Sequence, residues 1–236
     1  MHAFLVLLKT TNAKARLAFA YLAIPLLLGA APLSYGASAK IGIVVFDGVL
    51  TSDVTAPLEV FGAATKKAWF SNYEVVLISA SHDKTVTTEE GLSLIANTSI
   101  YDAPQLDVLL VASAYDMQPW LENEELIQFI AKQAKNSQWL ASNCSGAFLL
   151  AEAGLLDGKR ATTWAGGEKS LAAAYPAIKV QYDQNVVVDG GVITSNGGPV
   201  SYQSAFALLA RLSSDKYARE IAELLQFNRL KSAFIQ

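Results

Sequence analysis

From residue 40 onward, the pattern of hydrophobic and polar positions alternates between two kinds of segment. Runs of branched apolar residues without polar alternation are typical of strands covered on both faces, and they lie at 40–47, 73–80 and 106–112. Between them, residues 53–68 and 120–135 carry apolar side chains at helical spacing. This order requires crossover connections, so it predicts a largely parallel sheet in one α/β domain from 40 to 230.

The last third of the chain predicts a hairpin followed by two helices. Residues 186–194 contain Asp189-Gly-Gly191, a tight turn signal between two apolar runs. Helices are predicted at 201–212 and 215–227. The segment Asn196-Gly-Gly-Pro199 is interpreted as the end of a strand and the start of the first of these helices. Both glycine pairs are thus assigned structural roles, and neither has the pattern of a phosphate-binding loop.

Cys144, the only cysteine in the chain, lies between a predicted strand at 138–143 and a predicted helix at 145–152. A sharp turn from strand to helix lifts one side chain above the edge of the sheet and directs backbone N–H groups toward it. Cys144 is therefore a candidate nucleophile. The alternative is that the thiol packs as a small hydrophobic side chain, because free cysteines are among the most buried residues.

Residues 1–39 have the pattern of a cleaved signal peptide. Three basic residues precede the apolar run 17–28, and Ala37-Ser-Ala39 supplies the small residues that a signal peptidase needs. An uncleaved anchor is the alternative, because the segment 17–33 has about 17 residues and approaches the length of a membrane span. Two prolines and the small-residue exit favour cleavage, which predicts a periplasmic or secreted protein without membrane contact.

Composition and charge exclude several classes of function. Residues 1–39 hold three of the 18 Lys and Arg residues and none of the 21 Asp and Glu residues, so the remaining domain is acidic. An acidic domain without a basic stretch does not favour nucleic-acid binding. The chain has no cluster of His and Cys with metal-ligand spacing and no dinucleotide fingerprint, so no metal and no organic cofactor is predicted. Glu89, Glu90 and Asp116 are interpreted as solvated carboxylates.

Several sequence blocks resemble the ThiJ/PfpI superfamily, which is related to class I glutamine amidotransferases. The longest begins Asn143-Cys-Ser-Gly-Ala-Phe148, and the blocks are 43–48 with 52–61, 106–111, 143–163 and 188–198. The resemblance implies a flavodoxin-like three-layer sandwich with a mostly parallel sheet and a cysteine nucleophile elbow. The chain looks most like the branch that contains isonitrile hydratases and the ligand-sensing domains of certain AraC-type regulators. Relatives commonly form homodimers, so the resemblance also implies a homodimer.

In that branch an acidic residue on the first helix faces the elbow cysteine, and by position this residue is Asp53. An ionised Asp53 would raise the pKa of the Cys144 thiol, whereas a protonated Asp53 would donate a hydrogen bond to the thiolate. The helix start at Ser145 favours the thiolate in both cases. The alternative role of Asp53 is to cap its own helix.

Two departures from the family pattern affect the predicted chemistry. The family often has His after Ala-Thr-Thr, where this chain has Trp164, and the only His after residue 39 is His82 in a polar loop. The Cys–His pair of glutaminases and PfpI-type proteases is therefore not expected. Trp164 is interpreted either as a wall of the ligand pocket or as a core residue.

The second departure follows the third predicted strand, where relatives commonly carry Pro-Gly-Gly and this chain has Ser113-Ala-Tyr115. In the relatives the backbone amides of this segment complete an oxyanion pocket. Ser113 and Ala114 are expected to donate backbone N–H groups to the substrate together with Ser145, and Tyr115 and Asp116 are candidate residues of the pocket.

Two functions are consistent with these residues. The first is an exported cysteine-dependent hydratase or hydrolase that acts on a small electrophilic compound and resembles isonitrile hydratase. Its catalytic residues would be Cys144 as the nucleophile, Asp53 as the proton carrier and Ser145 as a backbone donor. The alternative is a non-catalytic domain that binds a small molecule or senses redox state, since a shared fold does not establish turnover.

Overall fold

The computed structural model describes residues 39–66, 70 and 72–230. Within these residues the strands are β1 (Ala39–Val45), β2 (Tyr73–Ser79), β3 (Thr85–Thr87), β4 (Ser93–Ile95), β5 (Thr98–Ser99), β6 (Val108–Val111), β7 (Trp139–Asn143), β8 (Arg160–Ala161), β9 (Lys179–Val180), β10 (Val186–Asp189) and β11 (Val192–Ser195). The helices are α1 (Thr51–Ala64), α2 (Gln118–Leu121), α3 (Glu124–Ala134), α4 (Gly146–Glu152), α5 (Glu168–Ala174), α6 (Val200–Leu212) and α7 (Asp215–Leu224).

Seven strands form one sheet in the order β10-β11-β7-β6-β1-β2-β5. All neighbouring strands in this sheet are parallel except the β10–β11 hairpin. The predicted mostly parallel sheet is confirmed. Because β1, β6, β7 and β11 are parallel neighbours, their carboxyl ends lie at one edge, where the segments that follow them meet.

The central strands are covered on both faces, as their continuous apolar runs predict. Every residue of β6 is buried, and so are the last five residues of β1. Helices α1, α6 and α7 pack against one another as one group, and α2, α3 and α4 pack as a second group. The sheet between these two helical layers forms the three-layer α/β sandwich that the resemblance implied.

The structure corrects one predicted helix. Residues 120–135 do not form a continuous helix, because α2 ends at Leu121 and α3 begins at Glu124. Asn123 separates the two helices, and its side chain accepts a hydrogen bond from the N–H of Leu126 at 3.0 Å. This bond satisfies one of the N–H groups left unpaired at a helix start, so the new helix begins at a capped residue.

The predicted signal peptide, apart from Ala39, lies outside the described residues, and so does part of the predicted helix at 53–68. In the described part of the chain, no helix combines the length and the apolarity that a membrane span requires.

Candidate active site

The predicted turn at Cys144 is present between β7 and α4. Cys144 has φ 49°, in the left-handed region that non-glycine residues seldom adopt. Its backbone N–H donates to the carbonyl of Ser195 at 2.9 Å, and its carbonyl accepts from the Thr163 hydroxyl at 2.9 Å. Backbone strain of this kind persists where the surrounding contacts hold it, and it is frequent at nucleophile elbows.

The carboxyl group of Asp53 is fully buried and accepts three hydrogen bonds. The Ser113 hydroxyl donates to Oδ2 at 2.5 Å, while the Ser201 hydroxyl and the Gly198 N–H donate to Oδ1 at 2.7 and 3.0 Å. Burial raises the pKa of Asp53, and the three donors oppose this because they favour the ionised form. The negative charge of Glu90 raises the pKa of Asp53 further.

The backbone of Asp53 is joined to the elbow through Asn143, the residue before Cys144. Pro57 lies inside α1 and has no N–H, so the Asp53 carbonyl four residues earlier lacks its usual helical donor. The Asn143 side-chain amide donates to this carbonyl at 3.3 Å, and Asn143 Oδ1 accepts from the Ser195 hydroxyl at 2.7 Å. Asn143 thus satisfies an unpaired carbonyl and also positions α1 against the end of β7.

The start of α1 is capped from outside the helix. Glu90, in the loop between β3 and β4, accepts from the Thr51 N–H at 3.0 Å and from the Thr51 hydroxyl at 2.6 Å. These hydrogen bonds lower the pKa of the Glu90 carboxyl. Glu90 is exposed, as predicted, but it also caps α1, a structural role that the sequence interpretation missed.

The carboxyl of Asp53 does not cap α1, because its three donors, Ser113, Gly198 and Ser201, lie outside the helix.

The thiol of Cys144 is partly buried, and burial raises its pKa. The negative charge of Asp53 raises the pKa of Cys144 further, whereas the hydroxyl of Ser113 and both the N–H and the hydroxyl of Ser145 lower it. The donors at the helix start therefore favour the thiolate as predicted. Burial and the neighbouring Asp53 carboxyl outweigh these donors, so the pKa of the Cys144 thiol is raised overall.

Cys144 opens onto a pocket of about 400 Å³. The predicted residues that line this pocket with it are Ala114, Tyr115, Ser145 and Trp164. A second recess of about 270 Å³ shares three of these residues and continues to Asp116, Met117, Gln118, Leu121 and Phe148. The ring of Trp164 lies 5.4 Å from that of Phe148 and stacks on it, so Trp164 both forms a wall and packs against a neighbour.

The backbone N–H of Ala114 does not point to a substrate oxygen, as the sequence analysis expected. It donates to Met117 Sδ at 3.1 Å, and the carbonyl of Ala114 accepts from the Ser145 hydroxyl at 2.8 Å. The Ser113 side chain is fully buried and bonded to Asp53. The expected oxyanion pocket therefore lacks one of its proposed donors, because the N–H of Ala114 is already bonded to the Met117 sulfur.

The site contains no imidazole from the described part of the chain. His82 is exposed and stacks on Tyr101 with ring centroids 3.8 Å apart, and neither residue lines the pocket at Cys144. Among residues 39–66, 70 and 72–230, no group of three or more His, Cys, Asp and Glu side chains is placed to hold a metal ion.

Three residues after β11 complete the site, although the sequence interpretation gave this segment only a structural role. Gly198 and Ser201 bind the Asp53 carboxyl. Gly197 has φ 77°, and a Cβ atom added there would lie 2.4 Å from Cys144 Cβ. A signal for this placement was present, because both the Asn196–Pro199 segment and Cys144 follow strands, and parallel strands bring such segments to one edge.

Comparison with known proteins identifies the family. The profile of the DJ-1/PfpI family matches residues 39–211. The chain belongs to the DJ-1/PfpI family. This DJ-1/PfpI domain is 34% identical over 188 residues to isonitrile hydratase from Pseudomonas putida, with 79% of this chain and 76% of the relative covered.

A regulator and a solved structure support the same placement. The chain is 27% identical over 146 residues to the HTH-type transcriptional regulator CdhR from Pseudomonas aeruginosa, covering 62% of this chain and 43% of the regulator. The crystal structure of a ThiJ/PfpI family protein from Pseudomonas syringae superposes with a TM-score of 0.72 at 24% identity, covering 82% of this chain and 76% of that one. The expected family and fold are confirmed, and both hydratase and regulator branches occur among the relatives.

Proposed function

We propose that this DJ-1/PfpI protein is a cysteine-dependent enzyme that adds water to a small electrophilic compound, with isonitriles as the substrate class. The observation that carries the proposal is that the buried carboxyl of Asp53 and the side chain of Cys144 meet beside Gly197, where an added Cβ would lie 3.1 Å from Asp53 Oδ1 and 2.4 Å from Cys144 Cβ, and that Cys144 opens onto a pocket. The 34% identity to isonitrile hydratase supports the choice of substrate.

The surroundings of Cys144 favour hydration of an isonitrile over hydrolysis of an amide. Amide hydrolysis needs an imidazole that returns a proton to the leaving amine and donors that stabilise a tetrahedral oxyanion. His82 does not line the pocket, and the N–H of Ala114 is bonded to Met117. Addition to an isonitrile needs instead a nucleophile and a proton for the same carbon, which Cys144 and Asp53 can supply.

The proposed reaction has three steps that together consume one water molecule. The Cys144 sulfur bonds to the terminal carbon of the isonitrile, and the proton shared by Cys144 and Asp53 passes to that carbon, giving a thioimidate. Water then adds to the carbon while one of its protons passes to the nitrogen. Cleavage of the carbon–sulfur bond releases an N-substituted formamide, and the hydroxyl proton returns to the Asp53–Cys144 pair.

The test is turnover of small alkyl and aryl isonitriles, with the formamide product detected by mass spectrometry in ¹⁸O-labelled water. Cys144→Ala is expected to abolish product formation. Asp53→Asn is expected to lower kcat by about 10²- to 10⁴-fold, the usual contribution of a positioned acid–base group. His82→Ala is the matched control and should leave the rate unchanged. A loss of activity in the histidine variant would refute the mechanism without imidazole.

A second candidate function is a non-catalytic domain that binds a small molecule or senses redox state. The raised pKa of the Cys144 thiol favours the binding domain, because fewer thiolates are present at neutral pH and both catalysis and redox sensing use the thiolate. The similarity to the regulator CdhR supports it as well. Stoichiometric binding or thiol modification, with never more than one turnover on the isonitrile panel, would favour this second function over the first.

We also propose that the protein acts outside the cytoplasm, after cleavage behind Ala39. The basic residues, the apolar run and the small-residue exit at 37–39 support export.

A further inference from the structure

Trp164 is held in place by the turn that it begins. Its carbonyl accepts a hydrogen bond from the N–H of Gly167 at 2.9 Å, and Gly166 has φ 93°. A four-residue turn whose third residue has positive φ has the pattern of a type II turn, which favours glycine at that place. The indole lies against Gly167, where an added Cβ would be 2.1, 2.3 and 2.5 Å from three atoms of the ring. The indole therefore fits there because residue 167 has no side chain.

Aromatic side chains support the indole from a second direction. The ring of Phe148, on α4, stacks on Trp164 at 5.4 Å and meets the ring of Tyr175 edge-on at 5.9 Å. The Tyr175 hydroxyl donates to Glu152 Oε2 at 2.6 Å. Aromatic pairs in these arrangements are favourable beyond the area that they bury. Contacts with Gly167 and Phe148 thus hold the indole where it lines both recesses of the site.

The other walls of the two recesses are mostly apolar. Tyr115 lines both recesses with Trp164 and is 77% exposed, so an apolar group bound there would cover ring surface that is open to solvent. Among the described residues that line the recesses, the only carboxylate or cationic side chain is Asp116, whose Oδ1 accepts from the N–H of Gln118 at 3.1 Å. These walls fit a neutral apolar group, whereas an anionic group would be repelled by the charge of Asp116. The further apolar wall residues are Met117, Leu121 and Phe148.

We propose that these recesses bind the N-substituent of the substrate, and that Trp164 makes the site prefer a neutral, ring-sized apolar group such as phenyl over methyl. The inference deepens the proposed function, since it names the class of isonitrile that the site favours, and it rests on Cys144 as the residue to which the substrate carbon bonds. A volume of about 400 Å³ is typical of a small-molecule site, and a methyl group leaves most of it unfilled. Gly167 is a positioning residue, because it acts on the ligand through the indole.

The experiment measures binding without turnover. N-phenylformamide and N-methylformamide carry the two groups on a neutral amide, and each is titrated against the alkylation of Cys144 by iodoacetamide. Because Cys144 is the only cysteine, protection from alkylation reports a ligand in this pocket. The wild type should bind the phenyl compound at least about tenfold more tightly, because several more apolar carbons are buried. N-(4-carboxyphenyl)formamide should bind more weakly than the phenyl compound, because it is anionic.

Variants of the turn test the role of the indole through the ratio of the two dissociation constants. Trp164→Ala should lower the preference for phenyl at least about threefold, because an aromatic contact is lost, and Trp164→Phe should restore most of it. Gly167→Ala should lower the preference as well, since its methyl group displaces the indole, and with φ −91° it adds no backbone strain. Gly62→Ala in α1 is the matched control, because within the described residues its added Cβ has no heavy atom within 4 Å.

A general loss of stability would weaken both formamides alike, so the ratio separates ligand preference from folding. The inference is refuted if the wild type binds the two formamides equally, if the carboxylate compound binds as tightly as the phenyl compound, or if Trp164→Ala and Gly167→Ala keep the preference that Gly62→Ala keeps. Turnover of phenyl and methyl isonitrile with equal kcat/KM would also refute it, while leaving the proposed hydration intact. Selective binding of the phenyl compound without any turnover would support the inference and contradict the hydration.

Discussion

A methyl group added at Gly197 tests whether the segment after β11 is built around the nucleophile. Gly197 has φ 77°, and an added Cβ would lie 2.4 Å from Cys144 Cβ and 3.0 Å from the Cys144 backbone nitrogen. Gly198, the next residue, also has positive φ, at 58°, but the described residues place no heavy atom within 4 Å of its added Cβ. The two alanine variants therefore share the conformational cost and differ in the steric one.

The expected magnitudes follow from these distances. An alanine in the left-handed region costs about 1–2 kcal/mol, which applies to both variants. Carbon atoms in contact are normally about 3.5–4.0 Å apart, so Gly197→Ala also forces Cys144 or its own backbone to move. Overpacking of this kind costs about 1–3 kcal/mol. We expect Gly197→Ala to lose about 2–5 kcal/mol of unfolding free energy and Gly198→Ala about 1–2 kcal/mol.

Urea unfolding and thermal melting measure both losses, and Tm should fall by about 2–4 °C per kcal/mol in a domain of this size. The rate of Cys144 alkylation should change in Gly197→Ala and stay near that of the wild type in Gly198→Ala. Equal losses of stability in the two variants would refute the argument, because the space beside Cys144 would then accept a methyl group.

Two further predictions concern pH and processing. Burial raises the pKa of Asp53, so the native state binds this proton more tightly than the unfolded chain, and stability falls as pH rises from the ordinary value of 3.8 through the folded pKa. Asp53→Asn should therefore gain stability relative to the wild type, by a margin in urea unfolding that is larger at pH 8 than at pH 4; a constant margin would contradict this. Mass spectrometry of protein from an extracytoplasmic fraction should find Lys40 at the N-terminus, whereas full-length chain recovered from membranes alone would favour an anchor.

Local sequence predicted the elements well where one segment carries its own signal. β1, β2 and β7 begin and end within two residues of the predicted runs. The break before α3 had a local signal too, since Asn123 followed by Glu124 and Glu125 is typical of a helix start. It was missed because the apolar spacing continues on both sides of the break.

The sequence by itself determined the type and order of the main strands and helices and the position of Cys144 at a turn from strand to helix. It did not predict the short elements β3, β4, β5, α5, β8 and β9. These properties depend on residues that are close along the chain, such as the apolar runs and the junction at Ser145. The resemblance to the family added Asp53 to the predicted site, because this residue occupies the position of the acidic residue in a matched sequence block.

Only the tertiary structure decided what surrounds the Asp53 carboxyl. Its donors Ser113, Gly198 and Ser201 lie 60, 145 and 148 residues away along the chain. No local pattern encodes such contacts, because they depend on the order in which parallel strands pair and on which loops that order brings to one edge of the sheet. The pKa values of Asp53 and Cys144 are raised for the same reason, since burial follows from the packing of several distant segments.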